Sequence, residues 1–191
     1  MVEYQEVEDQ QLLSRIALGD KAALEVLYTR YATSVYSLTM FMLKQPALAE
    51  EVTQDIFLNI WLKAASYNPD RGKARAWIMS ITHHKAVDAI RARRRAQAVT
   101  ESVDPETLEL IPSRQTPTDV EAERNLERER ILEVLSTLPP AQRAVIMLAY
   151  FEGYSQSEVA EKLKQPLGTI KTRVRLAMQK LKAALAYYAV E

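Results

Sequence analysis

The side chains with the clearest chemical potential lie in residues 153–181, near the end of the chain. Ser155 and Glu158 have the spacing of a capping box, in which the two residues satisfy each other's backbone amides at the start of a helix. Pro166 marks a turn, and a second helix is predicted to begin near Leu167. Two short helices joined by a tight turn predict a helix-turn-helix. Its expected inner face consists of Val159, Ala160, Leu163, Ile170, Val174, Ala177 and Leu181.

The polar face of the second predicted helix is basic, and the stretch from Lys162 to Lys182 contains no acidic residue. In a helix-turn-helix the early turns of the second helix enter the DNA major groove, where Lys, Arg and Thr reach bases or phosphates. An ordinary helical hairpin with a solvated basic face is the alternative. The capping box, the small Ala160, the turn at Pro166 and the basic second helix together favour DNA binding. The expected contact residues are Ser155, Thr169, Lys171, Thr172, Arg173 and Arg175.

Residues that could support catalysis or bind a metal are sparse and poorly placed. The chain has 0 Cys, which removes disulfides, thiolate catalysis and cysteine-based zinc sites. His84 and Asp88 are one helical turn apart, but an isolated pair of this kind is usually structural. His83 and His84 are adjacent, so on a helix they point in different directions and are poor partners for one metal ion. We therefore predict no enzyme activity, no metal and no cofactor.

The composition predicts an all-α protein whose charges are segregated. Strong helix formers recur throughout, and only 4 Gly occur in 191 residues. The formal net charge is +0, yet residues 71–95 are strongly basic with Asp88 as their only acid, and residues 162–182 are basic as well. Two basic segments are the electrostatic footprint expected of a nucleic-acid binder, and the alternative is that Lys and Arg simply solvate helices. The acidic first ten residues and the lack of any run of ~18 apolar residues predict no signal peptide, no membrane span and a cytoplasmic protein.

Apolar periodicity divides the chain into helices separated by breakers. A first helix is predicted over about 9–18, with Asp20 as the N-cap of a long second helix that ends before Pro46. Loop 68–72 separates a third helix from a fourth, which runs from about Ala74 to Arg95. The apolar stripe of the second helix consists of Leu24, Leu27, Tyr28, Tyr31, Val35, Leu38 and Met42.

Residues 97–117 lose this periodicity and are punctuated by prolines, which predicts a flexible linker between domains. The expected fold is all-α, with an N-terminal helical bundle over residues 1–96 and a C-terminal helix-turn-helix domain over residues 118–191. The prolines of the linker are Pro105, Pro112 and Pro117.

Three stretches resemble the extracytoplasmic-function (ECF) sigma factors of bacteria. FEGYSQSEVAEKLKQPLGTIKTRV (Phe151–Val174) resembles their promoter-reading C-terminal domain, region 4. AEEVTQDIFLNIWLKA (Ala49–Ala64) resembles the helix by which sigma factors dock on the clamp of RNA polymerase. The stretch from Asn68 through RAWIMSITHHKAVDAIRARRR resembles the part of region 2 that opens and reads the −10 element.

The resemblance implies three sets of contacts. The helix-turn-helix residues named above would read the −35 element. Among the implied polymerase contacts, Asp55 and Asn59 are the better candidates, because at least one of Phe57 and Trp61 is expected in the core. Trp77, in the fourth predicted helix, is also expected in the core. The polymerase-binding residues implied are Gln54, Asp55, Phe57, Asn59 and Trp61. The −10 residues implied are Asn68, Asp70, Arg71, His84, Asp88, Arg91 and Arg94.

The chain departs from the family pattern at a few positions. His84 stands where Asn is frequent, Leu176 where a basic residue is frequent, and Lys164-Gln165 where Gly-Val is common. The implied partners are core RNA polymerase, through the clamp of its β' subunit, promoter DNA, and an anti-sigma factor that is often anchored in a membrane. The alternatives are a helix-turn-helix regulator that is not a polymerase subunit, and a pure interaction protein. The residues 49–95 argue against the first, and the basic segments argue against the second.

Overall fold

The computed structural model describes the backbone of residues 6–100, 126, 129 and 132–188, and the side chains of these residues except 98–100 and 182–188. Within these ranges every regular element is a helix. The helices form an N-terminal and a C-terminal domain, which confirms the prediction of an all-α protein with two helical domains. The predicted linker lies outside the described residues from 101 onward.

The N-terminal domain is built from helices whose ends follow local signals in the sequence. The Asp20 side chain accepts a hydrogen bond from the Ala23 amide (3.1 Å), as an N-cap should. Pro46 occupies the first turn of its helix, where its missing amide costs nothing. The helices are α1 (Asp9–Ala17), α2 (Lys21–Leu43), α3 (Pro46–Lys63) and α4 (Ala74–Thr100).

The core of this domain lies where α1, α2, α3 and the first turns of α4 meet. Two of its buried hydroxyls are paired: the Thr39 hydroxyl donates to the Val35 carbonyl (2.9 Å) and lies 3.1 Å from the Thr53 hydroxyl of α3. Trp77 packs against this core, as predicted. The large side chains that are fully buried here are Leu12, Leu13, Ile16, Leu27, Val35, Leu43, Ile56, Ile60 and Ile78.

The C-terminal domain includes helical residues 132–136 and α5 (Pro140–Ile146), which continues as a π-helical turn (Met147–Phe151). α6 (Gln156–Lys162) and α7 (Leu167–Tyr188) follow. Val145, Val159 and Ile170 form its core, one residue from each of α5, α6 and α7. Ala177 is also buried. The burial of Val159, Ile170 and Ala177 confirms these three residues of the predicted inner face.

A further apolar cluster joins the two domains. Phe41 of α2 and Phe151 of the π-helical turn meet edge to face, with ring centroids 5.1 Å apart. The buried members of this cluster are Leu38, Met42, Ala86 and Val87 from the first domain, and Leu135, Leu138, Ile146, Phe151 and Ala177 from the second.

Three details differ from the sequence-based expectations. Tyr28, predicted in the apolar stripe of α2, is 48% exposed, because it lies at the edge of the stripe, where its ring covers Phe57. α4 continues to Thr100, a few residues into the segment predicted as linker. Leu132, which an apolar stripe of Ile131, Leu132, Leu135 and Leu138 in the sequence predicts on an inner face, is 45% exposed. Among the described residues, no helix is long and apolar enough to span a membrane.

Candidate nucleic-acid and polymerase interfaces

The helix-turn-helix begins with the predicted capping box. The Ser155 amide donates to the Glu158 carboxylate (2.6 Å), and the Glu158 amide donates to the Ser155 hydroxyl oxygen (3.3 Å). Hydrogen bonds from the side chain and the backbone amide of Ser155 to the carboxylate hold the pKa of Glu158 below its usual range, with smaller contributions from Arg94 and Arg91 of α4. Ser155 itself is exposed, at the start of α6.

The turn between α6 and α7 requires an unusual backbone conformation. Lys164 has a φ of 51°, in the left-handed region that glycine adopts without cost. Its amide donates to the Glu161 carbonyl (3.1 Å), and the next amide, that of Gln165, donates to the Ala160 carbonyl (2.9 Å). Lys164 is also the residue that stands where glycine is common in the family that the chain resembles.

We expect Lys164→Gly to raise the free energy of unfolding by up to about 1 kcal/mol. The left-handed conformation costs a non-glycine residue about 1–2 kcal/mol, and the entropy of the added glycine offsets part of the gain. Glu161→Gly, in the last turn of α6, is the matched control and should lower the free energy of unfolding by up to about 1 kcal/mol. Thermal and urea unfolding would measure both, and equal destabilisation by the two variants would contradict the prediction.

The first turns of α7 present the predicted DNA-reading side chains. Lys171, Thr172 and Arg175 are exposed, whereas Thr169 and Arg173 are half-buried. The Thr172 hydroxyl donates to the Gly168 carbonyl (3.0 Å), which leaves its methyl group and its oxygen lone pairs for contacts. Ile170 faces the core with 0% exposure, so α7 is held by one face while its basic side chains project from the other.

The loop predicted to read the −10 element is an ordered turn. The Asn68 side chain accepts a hydrogen bond from the Asp70 amide (2.9 Å), and Pro69–Arg71 form one turn of 3-10 helix. Asn68, Asp70 and Arg71 are all exposed. The Tyr67 hydroxyl donates to the Gly72 carbonyl (3.1 Å) and closes the loop.

The four predicted −10 residues of α4 differ in what they contact. His84 and Asp88 are exposed. Arg91 donates from Nε to the Gly153 carbonyl (3.0 Å), and Arg94 donates to the Glu152 carbonyl. The two arginines are therefore engaged with the C-terminal domain, which the sequence did not indicate.

His83 joins the same contact between the domains. Its ring stacks on Tyr150 with centroids 3.6 Å apart, and its Nε2 lies 2.8 Å from the Tyr150 carbonyl. A carbonyl can only accept, so Nε2 carries the proton in this arrangement. Burial lowers the pKa of His83 below its ordinary value, and the neighbouring His84 and Arg91 act in the same direction.

We expect acid to weaken the packing of His83 on Tyr150. Because the pKa of His83 is lowered in the folded chain, its stabilising contribution is present above the ordinary imidazole pKa of about 6.5 and is lost as the pH falls through the lowered value. The thermal midpoint of the wild-type chain should fall more steeply than that of His83→Gln between about pH 7 and about pH 5. Glutamine also donates a hydrogen bond but does not titrate, so parallel curves would contradict the prediction.

The predicted polymerase-binding helix, α3, divides its apolar residues between two faces. Phe57 is 5% exposed and belongs to the core, so its prediction as a surface contact is wrong, while the expectation that one of the two aromatic residues is core is confirmed. Trp61 is half-buried against the same core. Gln54 and Asp55 are exposed and Asn59 is half-buried. Asp55 lies 3.7 Å from the Lys85 ammonium of α4.

Sequence reasoning missed the most exposed apolar residues of α3. Leu58 and Leu62 are 55% and 68% exposed and are four residues apart, so they form one patch beside Asp55. The sequence does contain a signal for this patch, because α3 is apolar around most of its circumference at Ile56–Leu58 and Ile60–Leu62. A helix with apolar residues all round buries more than one face. Among the described residues, no group of His, Asp and Glu is placed to hold a metal ion.

A bundle of helices followed by a helix-turn-helix with an exposed basic second helix is the architecture of a DNA-binding transcription protein. Comparisons with known proteins define the class further. Residues 27–96 match the family Sigma-70 region 2, and residues 128–181 match the family Sigma-70, region 4.

Relatives of the whole chain agree with these matches. The chain is 35% identical to the ECF RNA polymerase sigma factor SigK of Mycobacterium sp. (strain KMS) over 182 residues, covering 91% of this chain and 89% of that one. It is 34% identical to SigK of Mycobacterium tuberculosis (strain ATCC 25177 / H37Ra), covering 91% of each chain. Among solved structures, SigE of Rhodobacter sphaeroides in complex with the anti-sigma ChrR is 29% identical, with 93% and 98% of the chains covered and a TM-score of 0.44. The chain belongs to the ECF RNA polymerase sigma factors, as its resemblance indicated.

Proposed function

We propose that this sigma factor docks on core RNA polymerase through the outward face of α3 and reads a promoter with two separate surfaces. The loop at Asn68–Gly72 and the basic part of α4 bind the melted −10 strand. The helix-turn-helix binds the −35 duplex with the first turns of α7. In this division residues 1–96 form the region 2 domain, residues 97–117 the linker and residues 118–191 the region 4 domain.

The observation that carries the proposal is the presence of two unlike exposed surfaces in one chain. Lys171 and Arg175 form a basic surface suited to duplex DNA. Leu58 and Leu62 form an apolar surface suited to a protein partner, since interfaces are anchored by a few large side chains within a polar rim. A helix-turn-helix regulator that never joins polymerase would need only the first surface.

The proposed partners follow from these two surfaces. The protein acts in the cytoplasm beside polymerase and promoter DNA, as a binding subunit that carries out no chemistry of its own. The complex of Rhodobacter sphaeroides SigE with the anti-sigma ChrR supports an anti-sigma factor as a third partner, membrane-anchored in some systems.

The direct test combines the purified chain with core polymerase and a pool of random promoters. Polymerase-dependent initiation from a restricted set of sequences is the expected result, and the enriched sequences give both promoter elements. Binding of duplex DNA by the chain alone, without any initiation, would replace the proposal by a regulator that is not a polymerase subunit.

A further inference from the structure

The first turn of α7 exposes a large apolar side chain on the side of the helix that is assigned to DNA. Leu167, the first residue of the helix, is 37% exposed. We infer that Leu167 reads the methyl group of a thymine in the −35 element. The inference rests on the proposed role of α7 in binding the −35 duplex. It adds a specificity-determining residue whose chemistry differs from that of the basic and hydroxyl side chains already assigned there.

Packing within the protein gives Leu167 no place in a core. The core of the helix-turn-helix is formed by other side chains: Val159 and Ile170 are buried, and Leu163 and Val174 pack against them. Leu167 belongs to none of the apolar clusters that the described residues form. Single exposed apolar residues are common on protein surfaces, so exposure alone does not mark a contact. The place of Leu167 in the helix is what points to DNA.

Leu167 lies beside the basic side chains that are expected to meet bases. It is four residues before Lys171 and eight before Arg175, spacings that place side chains along one side of a helix. All three residues are exposed. The first turn is well formed, since the Thr169 amide donates to the Pro166 carbonyl (2.9 Å). Leu167 is therefore held in the turn that enters the major groove, next to the side chains that accompany it.

The residue after Leu167 leaves room for DNA to approach. A Cβ added to Gly168 would have no packing neighbour within 4 Å, and the φ of Gly168 is not in the left-handed region. Neither packing nor backbone conformation requires glycine here, although glycine is a poor helix former. Gly168 lies three and four residues before Lys171 and Thr172, so the missing side chain bares the backbone on the exposed face. A partner that comes close to this face accounts for the glycine.

The methyl group of thymine is the apolar feature of the major groove. The rest of the base edges present hydrogen-bond donors and acceptors, which suit Lys171 and Arg175 and do not suit a leucine. Contact between the leucine side chain and the methyl group removes apolar surface of both from water. Burial of one methyl-sized group corresponds to about a fourfold change in affinity. An apolar side chain beside two cationic ones is therefore complementary to a thymine that lies beside a guanine or a phosphate.

Leu167→Ala removes the proposed contact, and Met178→Ala is the matched control. Met178 is 44% exposed and lies on the same side of α7, about three turns or about 16 Å further along. That distance exceeds the width of the major groove, about 12 Å, so Met178 lies outside it. Leu167→Met keeps an apolar side chain of similar size and tests rescue. Gly168→Ala places a methyl group on the face that DNA is expected to approach.

The probe is a fluorescent duplex with the −35 element that the wild-type chain and core polymerase enrich from a random pool, with each thymine replaced in turn by deoxyuridine. Deoxyuridine lacks only the methyl group. At one position the replacement should weaken binding by the wild-type chain and by Met178→Ala about fourfold, and Leu167→Met should still discriminate. Leu167→Ala should bind the thymine duplex at least about fourfold more weakly than the wild-type chain and should not discriminate at that position.

Thermal unfolding of the same variants excludes a merely structural effect. Leu167→Ala should keep the thermal midpoint of the wild-type chain, and Gly168→Ala should keep or raise it while weakening binding to every duplex alike. Wild-type binding that deoxyuridine leaves unchanged at every position would overturn the inference, as would discrimination by Leu167→Ala equal to that of the wild-type chain. Full DNA affinity in Gly168→Ala would also overturn it, because the duplex would then stay too far from the first turn of α7.

The outcomes also separate the inference from the proposed function. Sequence-selective initiation together with full discrimination by Leu167→Ala would overturn the methyl contact and leave promoter reading by α7 intact. If the chain binds duplex DNA without directing initiation, the same measurements on a duplex that the chain alone enriches decide the methyl contact apart from the polymerase role. If it binds no duplex, with or without polymerase, the assignment of α7 fails, and the methyl contact fails with it.

Discussion

Replacing both Leu58 and Leu62 with aspartate should weaken binding to core RNA polymerase by about 3–4 kcal/mol, or two to three orders of magnitude. The two side chains are 55% and 68% exposed, so the substitutions remove apolar anchors and bury charge in the complex without disturbing the core of the free protein. Each single substitution should weaken binding to core polymerase by about 2 kcal/mol.

The effect should be confined to this patch. Leu18→Asp is the matched control, because Leu18 is 89% exposed and lies outside α3, in the segment between α1 and α2. Asp55→Ala should cost less than about 1 kcal/mol, since an exposed charge at the rim of an interface contributes little. Fluorescence anisotropy of the labelled sigma factor with core polymerase would measure all five variants. Full affinity in the double variant would remove α3 as the docking surface.

Removing the basic side chains at the start of α7 should weaken recognition of the −35 element by about 1–3 kcal/mol for each side chain that meets a base. Lys171 and Arg175 are exposed on the face opposite the buried Ile170, so alanine at either position leaves the domain folded. Lys180→Ala, further along the same helix and also exposed, should have a much smaller effect.

The kind of loss identifies the kind of contact. If Arg175 reads a base, Arg175→Ala should relax preference at one promoter position. If it binds a phosphate, the loss should be uniform across sequences, and the slope of log K against log salt should fall by about one. Competition between duplexes that differ only in the −35 element, repeated at several salt concentrations, distinguishes these results. Unchanged binding in both alanine variants would contradict the assignment of α7.

The helix boundaries and the helix-turn-helix could be predicted from the sequence because their signals are local. Asp20 caps the helix that begins one residue later, and Ser155 and Glu158 are three residues apart. Pro46 and Pro166 act on the helices that start beside them. Interactions of this range depend on backbone geometry within one helical turn, so the order of residue types is sufficient to predict them.

Which side chains form the two proposed surfaces of the N-terminal domain depended on packing. α3 is apolar on most sides, and periodicity could not decide that Phe57 points into the core while Leu58 and Leu62 point out. That choice is made by α1, α2 and α4, which cover only part of the helix. Burial of apolar surface stabilises a fold in proportion to the area removed from water, so it does not by itself select one face of a helix that is apolar on most sides.

By itself, the sequence determined the all-α class, the capped helices, the helix-turn-helix with its basic second helix, and the segregation of charge in a neutral chain. Only the tertiary structure decided which apolar residues of α3 remain in water and which basic residues of α4 are already engaged. Arg94 and Glu152 are 58 residues apart, and His83 and Tyr150 are 67 apart. Contacts over such separations form only when the intervening helices have packed, because the cost of ordering the chain between them is offset by burial elsewhere in the fold.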